Sequence, residues 1–307
     1  MIATKASSLY NLLNTELESV LMIKSVRYET FNEGQHLVVL GAVHGNEKCG
    51  TAAIERLMAA LDSEKLVLKK GTLTCVPITN PRAYEENVRF CERNLNRALY
   101  VKDEPQHYED QIDPILCHIL EQADVLIDLH SYASEGGLFS FLGVSNQTEI
   151  DFCRHLTVQN FVYGWGDAFA QVLEDPRDAM GTVEYARLHG AIATTIECGQ
   201  HLNADAADKG FQVLLAGLSY LEMIDAPKAE PVDQRFVKMH SVFMKEEEGE
   251  FAQPWKHYDE VSEGQLLATY ASGKEVRAPQ AGFIVLPKTH ATVGTEWIFF
   301  GVGTDCP

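Results

Sequence analysis

Short apolar runs alternate with segments of helical periodicity from His36 to Ile224, and this alternation confines that part of the chain to an α/β layered fold built on a mostly parallel sheet. His36–Val43 (HLVVLGAV) reads as a buried strand ending in a glycine-containing turn. Cys49–Leu61 follows as a helix with Ile54, Leu57, Met58 and Leu61 on one face. Thr72–Ile78 is a second strand, Ile112–Leu120 a helix, and Asp124–Leu129 (DVLIDL) a strand whose end presents His130. A helix near Glu149–Val158, strands at Asn160–Tyr163 and Ala191–Glu197, and a long helix near Ala204–Ile224 complete the series. Ahead of it, Leu9, Leu12, Leu13, Leu17 and Leu21 predict an amphipathic helix over 6–21. Ligands of such sheets bind at the carboxyl ends of the strands, and His44, His130 and Glu197 all fall at or just past a predicted strand end.

The pattern changes after Asp225. Ala226–Asp233 (APKAEPVD) has the composition of a linker, and short alternating segments follow at Phe236–Met244, Gln265–Tyr270, Gly282–Leu286 and Trp297–Val302. The expected division is an α/β domain over 1–228 and a small all-β domain over 229–307. Glu246, Glu247 and Glu248 read as a solvated turn.

Composition removes several classes of function. The 307 residues are 46% hydrophobic and 22% charged, a balance that supports a sizeable core. With 25 basic and 44 acidic side chains the formal net charge is −19, which repels phosphate backbones and argues against nucleic-acid binding. No apolar run approaches the roughly 18–20 residues that span a bilayer, and the N-terminus lacks the pattern of a secretory signal. Seven cysteines without a CxxC pair fit a reducing compartment better than a disulfide framework. The expectation is a cytoplasmic protein without membrane or nucleic-acid partners; self-association into a homo-oligomer stays open.

The chemistry concentrates in Gly41-Ala42-Val43-His44-Gly45-Asn46-Glu47. A catalytic zinc takes imidazole and carboxylate ligands from three residues and keeps a fourth position open. A His-x-x-Glu pair on a strand-to-helix turn supplies two of these and leaves the third to a neighbouring strand, where His130 at the end of DVLIDLH suits the role. An isolated HxxE is weak evidence, since it arises by chance in many chains. Asp128, two residues before His130 on the same strand face, is either an acceptor behind that imidazole or simply structural. Asn80-Pro81-Arg82, Arg89 and Asn94-Leu95-Asn96-Arg97 follow. An arginine beside an amide makes a carboxylate clamp, and an arginine near a metal can stabilise an oxyanion. For Arg82 and Arg93 the preferred reading is surface ion pairing with Glu85, Glu86 and Glu92. Glu197 ends the apolar run Ala191–Glu197 and precedes Cys198-Gly199. A lone acid there is expensive unless it has a use, and general-base catalysis is one.

In order, the segments GAVHGNE, NPRAYEENVRF, NLNR, DLHS and TIECG resemble the succinylglutamate desuccinylase/aspartoacylase family, a branch of the zinc carboxypeptidase superfamily. The resemblance covers about residues 38–200. It implies a zinc-carboxypeptidase-like three-layer domain and one zinc per chain held by His44, Glu47 and His130. It implies Glu197 as catalytic base and proton shuttle, Arg89 on the scissile carbonyl, and Asn96 and Arg97 on a substrate carboxylate. The C-terminal β domain resembles the family's, where it narrows access to the cleft. One departure is plain: the family's DLNR is NLNR here, with Asn94 in place of an aspartate. Between His130 and Glu197 the match is loose, and Tyr163, Arg154, Arg177 and Arg187 are specificity candidates, each more readily structural.

The resulting expectation is a zinc-dependent deacylase acting on a small anionic N-acyl amino acid. A metallocarboxypeptidase acting on peptides or peptidoglycan fragments is the alternative. A catalytically dead binding protein is disfavoured, because all three ligand residues and the base are present.

Overall fold

The computed structural model describes residues 22–144, 146–169, 175–231 and 233–307; the helix expected over 6–21 lies outside them. In chain order the strands are β1 (Val26–Glu29), β2 (His36–Gly41), β3 (Thr72–Val76), β4 (Val125–Tyr132), β5 (Phe139–Phe141), β6 (Asn160–Tyr163), β7 (Ile192–Gln200), β8 (Arg235–Met244), β9 (Gly249–Phe251), β10 (Glu260–Val261), β11 (Leu266–Tyr270), β12 (Glu275–Arg277), β13 (Gly282–Val285) and β14 (Glu296–Thr304). The α-helices are α1 (Lys48–Asp62), α2 (Pro81–Glu86), α3 (Tyr108–Leu120), α4 (Gln147–Arg154), α5 (Trp165–Phe169), α6 (Thr182–Leu188) and α7 (Ala206–Tyr220).

Among the described residues, eleven strands pair into one mixed sheet in the order β1-β3-β2-β4-β7-β5-β6-β8-β14-β13-β10. β3, β2, β4 and β7 run parallel to one another. β5 is antiparallel to β7 and parallel to β6.

Alternation along β2 shows how the layers form. Leu37 and Val39 enter an apolar cluster with Ile54 and Leu57 of α1 and Val213 and Leu214 of α7. Val38 and Leu40 enter another with Ile112 and Leu116 of α3 and Val183 and Ala186 of α6. Successive strand side chains point to opposite faces, so a strand buried on both faces needs helices on each, and the continuous apolar run of β2 meets that requirement.

The C-terminal strands are antiparallel among themselves, as their alternation suggests. β8, however, pairs with β6 in parallel, so β8, β14, β13 and β10 continue the central sheet. Among the described residues, only β12, β11 and β9 form a separate sheet. One cluster, around Trp255, Leu267, Trp297 and Phe300, is internal to this segment. Another joins Tyr132, Phe139 and Val162 to Val237, Val285 and Phe299, packing the two parts of the chain together. Among the described residues no helix is long and apolar enough to cross a membrane.

Candidate active site

β2 ends at Gly41, and Ala42 turns the chain with a left-handed φ of 48°. Such a φ is uncommon outside glycine and is tolerated best by a small side chain. Gly45 lies against α2 so closely that a Cβ there would overlap the Ala83 carbonyl group, and its N–H donates to the Arg89 carbonyl at 3.1 Å. The HxxE turn is thereby seated between two elements, with Glu47 directly ahead of α1. β4 brings His130 beside it from the adjacent parallel strand.

His44, Glu47 and His130 are all buried, and their ligating atoms lie within 4.8 Å of one another. His44 Nδ1 is 2.9 Å from Glu47 Oε1, His130 Nδ1 is 2.9 Å from Glu47 Oε2, and the two Nδ1 atoms are 3.1 Å apart. The distal nitrogens face acceptors: His44 Nε2 is 2.9 Å from Asn94 Oδ1, and His130 Nε2 is 2.9 Å from Asp128 Oδ2. The Asn96 backbone N–H also donates to Asn94 Oδ1, which fixes the orientation of that amide. Two imidazoles, one hydrogen-bonded at its distal nitrogen to Asn94 and the other with its distal nitrogen at ion-pair distance from Asp128, converge with a carboxylate at Nδ1 and oxygen, a donor set that suits a divalent cation such as zinc.

The electrostatics have the same origin. Burial acts to raise the Glu47 carboxyl, but the His44 and His130 imidazoles hold it well below the usual range. Burial, then the Arg89 charge, lowers His44 to about 4. Burial also opposes the charged form of His130, but Asp128 and Glu47 outweigh it and hold that imidazole well above its ordinary value.

Arg89 donates to Glu47 Oε1 at 2.7 Å, so the guanidinium expected on the scissile carbonyl lies against the Glu47 carboxylate. It also lines a cavity of about 430 Å³ together with His44, Asn96, Arg97, His130 and Glu197. Glu197 is paired in register with His130 on β4 and Phe139 on β5. Its Oε2 is buried without a hydrogen-bond partner. Burial, reinforced by the negative charge of Glu47, pushes its carboxyl up to about 8. Asn96 Oδ1 accepts from the Thr182 N–H at 2.9 Å at the start of α6. With its oxygen so used, the amide has only its Nδ2 donors left to offer an anion. Arg97 Nη1 donates to the Asn96 carbonyl at 2.7 Å, and burial lowers the guanidinium below its ordinary value.

The segment carrying these arginines is shaped by acids of α3. Buried Glu109 accepts the backbone N–H groups of Cys91, Glu92 and Arg93 at 2.7, 3.2 and 3.0 Å, and the Asn80 amide at 3.2 Å. Arg93 is not in a surface pair with Glu92. It is largely buried, with Nε 2.7 Å from Asp110 and Nη2 2.7 and 2.8 Å from the two oxygens of Asp113. Arg93 also donates to the Asn94 and Arg97 carbonyls, and a buried guanidinium requires such compensation. Arg82 pairs with Glu86 at 3.0 Å, as expected. Periodicity missed the first turn of α3, because Glu109 and Asp110 are acids on buried positions. Acids interrupting the apolar face of a helix are the signal that marks such a site.

Of the specificity candidates, Tyr163 and Arg187 line the cavity. Arg154 bonds Gln234, and exposed Arg177 pairs with Asp175. Phe141, Trp165, Lys288 and Phe299 also line it and carry no local motif.

The chain belongs to the family described as the succinylglutamate desuccinylase/aspartoacylase catalytic domain, whose model matches residues 33–221. It is 25% identical over 200 residues to a probable aspartoacylase of Nostoc sp., covering 62% of this chain and 65% of the relative. It is 30% identical over 145 residues to a probable aspartoacylase of Acaryochloris marina, covering 44% of this chain and 48% of the relative. The matches thus span less than two-thirds of each curated relative. Among solved structures, it superimposes on the product-bound ectoine utilization protein EutE (DoeB) from Ruegeria pomeroyi with a TM-score of 0.73, at 21% identity over 92% of this chain and 89% of that one. A succinylglutamate desuccinylase/aspartoacylase from Rhodobacter sphaeroides gives 0.74, at 16% identity with the same coverages. These likenesses establish the fold.

Proposed function

We propose that this chain is a zinc-dependent amide hydrolase that removes an acyl group from a small N-acyl amino acid. The observation that carries the reading is the convergence of His44 Nδ1, His130 Nδ1 and the Glu47 carboxylate, with both imidazoles and Glu197, whose Oε2 is buried without a hydrogen-bond partner, lining one cavity. The family match and the names of the curated relatives support the same class of reaction. We read the layering as zinc-carboxypeptidase-like, with residues 1–228 as the catalytic domain and 229–307 as a β domain capping the cleft. The positions of Leu286, Lys288 and Phe299 on the cavity support the capping role and favour small substrates over open peptides.

His44, Glu47 and His130 would hold one zinc ion, which when bound supplies a Lewis acid for the carbonyl and lowers the pKa of water. Glu197 takes the proton of the attacking water at a carboxylate oxygen and returns it to the leaving amine nitrogen. Its buried setting raises its proton affinity, as an acid-base shuttle requires. Arg89, already beside the ligand cluster, donates to the carbonyl oxygen as negative charge develops there. Arg97 and the Nδ2 donors of Asn96 orient the substrate carboxylate.

The test is a screen of N-acetyl, N-succinyl and N-formyl amino acids, with dipeptides alongside, read as release of the primary amine by zinc-loaded protein before and after chelation. Chelator-sensitive release from an acyl amino acid is expected. Faster cleavage of the dipeptides, or release indifferent to chelation, would overturn the reading.

A further inference from the structure

The roles proposed above account for one end of the cavity. The other is aromatic. Phe141 of β5 meets Trp165 of α5 edge-on, with ring centroids 4.9 Å apart at 70°. Trp165 meets Phe299 of β14 at 4.8 Å and 35°. All three line the cavity with Val162 and Leu286. Phe299 is 1% exposed and belongs to a core cluster against which Phe141 and Trp165 pack, so it backs the wall that those two rings present.

The charges tell the same story. Arg187 lines the cavity, but its Nε and Nη2 lie 3.0 and 2.7 Å from Glu149 Oε1, and Nη2 also donates to the Ala193 carbonyl. Lys288 is 2.8 Å from Glu296, and Arg89 is 2.7 Å from Glu47. Three of the cations on the cavity therefore already face a carboxylate of the protein. Glu184 and Asp167 add acidic groups to the lining. A second substrate carboxylate would meet neutralised cations and like charge.

Resting on the deacylase reading, we infer that the substrate is an N-acyl amino acid with a single carboxylate and one bulky apolar group, of phenyl or branched-alkyl size, which packs on the Phe141–Trp165–Phe299 wall. Such a group removes apolar area from water against Phe141 and Trp165, the partly exposed rings that Phe299 backs. A cleft of about 430 Å³ lies in the range of small-molecule sites. The apolar group can be the amino-acid side chain or the acyl chain, and the probes below separate the two.

The experiment measures kcat/KM of the zinc-loaded full chain on N-acetylphenylalanine, N-benzoylglycine, N-acetylaspartate and N-succinylglutamate. One of the first two should exceed both dianionic or trianionic probes by about tenfold or more. Preference for N-acetylphenylalanine assigns the wall to the side chain, and preference for N-benzoylglycine assigns it to the acyl group. Trp165→Ala should bring the apolar-to-acidic ratio towards one, and Trp165→Phe should restore most of it. Preference of the parent for N-acetylaspartate or N-succinylglutamate overturns the inference and leaves the deacylase reading intact. Equilibrium dialysis with the same probes gives a readout independent of turnover. Selective binding of an apolar probe without hydrolysis of any would uphold the wall and sink the deacylase reading. Equal or tighter binding of the acidic probes would sink the wall.

Discussion

His44 reaches Asn94 with one ring nitrogen and the Glu47 carboxylate with the other, whereas the second imidazole, His130, has an aspartate, Asp128, in the corresponding outer position. The two imidazoles thus differ in what stands behind them: a neutral amide and a charged carboxylate. A carboxylate partner raises the basicity of a ligating imidazole more than an amide does. Asn94→Ala should weaken metal binding by about 10- to 100-fold, and Asn94→Asp should match or exceed the parent. Chelator competition measures both, and an unchanged affinity in Asn94→Ala would remove the outer residue from the account. His44→Ala and His130→Ala should lose most of the metal by direct metal analysis.

Glu197→Gln keeps the shape of the side chain and removes the proton acceptor. The variant should bind metal as the parent does and lose activity by on the order of a hundredfold or more. Near-normal turnover would make the buried carboxyl a structural group.

Arg89 and Arg97 should separate kinetically. Arg97→Lys keeps a charge but not the planar fork, so KM should rise more than kcat falls. Arg89→Ala should mainly lower kcat, because its bond to the carbonyl oxygen strengthens in the transition state. Since Arg89 also contacts Glu47, metal content must be measured on the same sample. A substrate with its carboxylate converted to an amide should be poor for the parent and should add little to the defect of Arg97→Lys. Equal cleavage of amide and acid would refute the clamp.

Asp110 tests the scaffold. Burial acts to raise its carboxyl, but the Gln106 and His107 N–H groups and Arg93 overcome this and hold it at about 2. An unfolded aspartate titrates near about 3.9. The stabilisation is therefore fully present above that value and is lost as the pH falls through about 2. Asp110→Asn should lower stability by roughly 2 kcal/mol at neutral pH. The gap between parent and variant in urea unfolding should narrow as the pH drops from about 4. A gap that is constant with pH would mean that charge is not the cause.

The convergence of His44, Glu47, His130 and Glu197 was legible in the sequence because local rules place these residues at or just past strand ends. His44 follows the apolar strand β2, His130 lies on β4, and Glu197 lies on β7, and the parallel pairing of β2 with β4 and of β4 with β7 brings those positions side by side. The strand pattern thus delivers the cluster once register follows burial. Long-range packing decided the rest. The partners of Arg93 are acids of α3 that no periodicity reveals, since a buried charge is intelligible only with its counter-charge in place. The union of the C-terminal strands with the central sheet depends on β8 finding the edge of β6, and alternation within β8 does not specify that neighbour. Phe141, Trp165 and Phe299 are ordinary apolar residues in sequence; only the meeting of β5, α5 and β14 makes them one wall of a cavity. Periodicity reports which face of an element is apolar, whereas the identity of what covers that face is settled by tertiary packing.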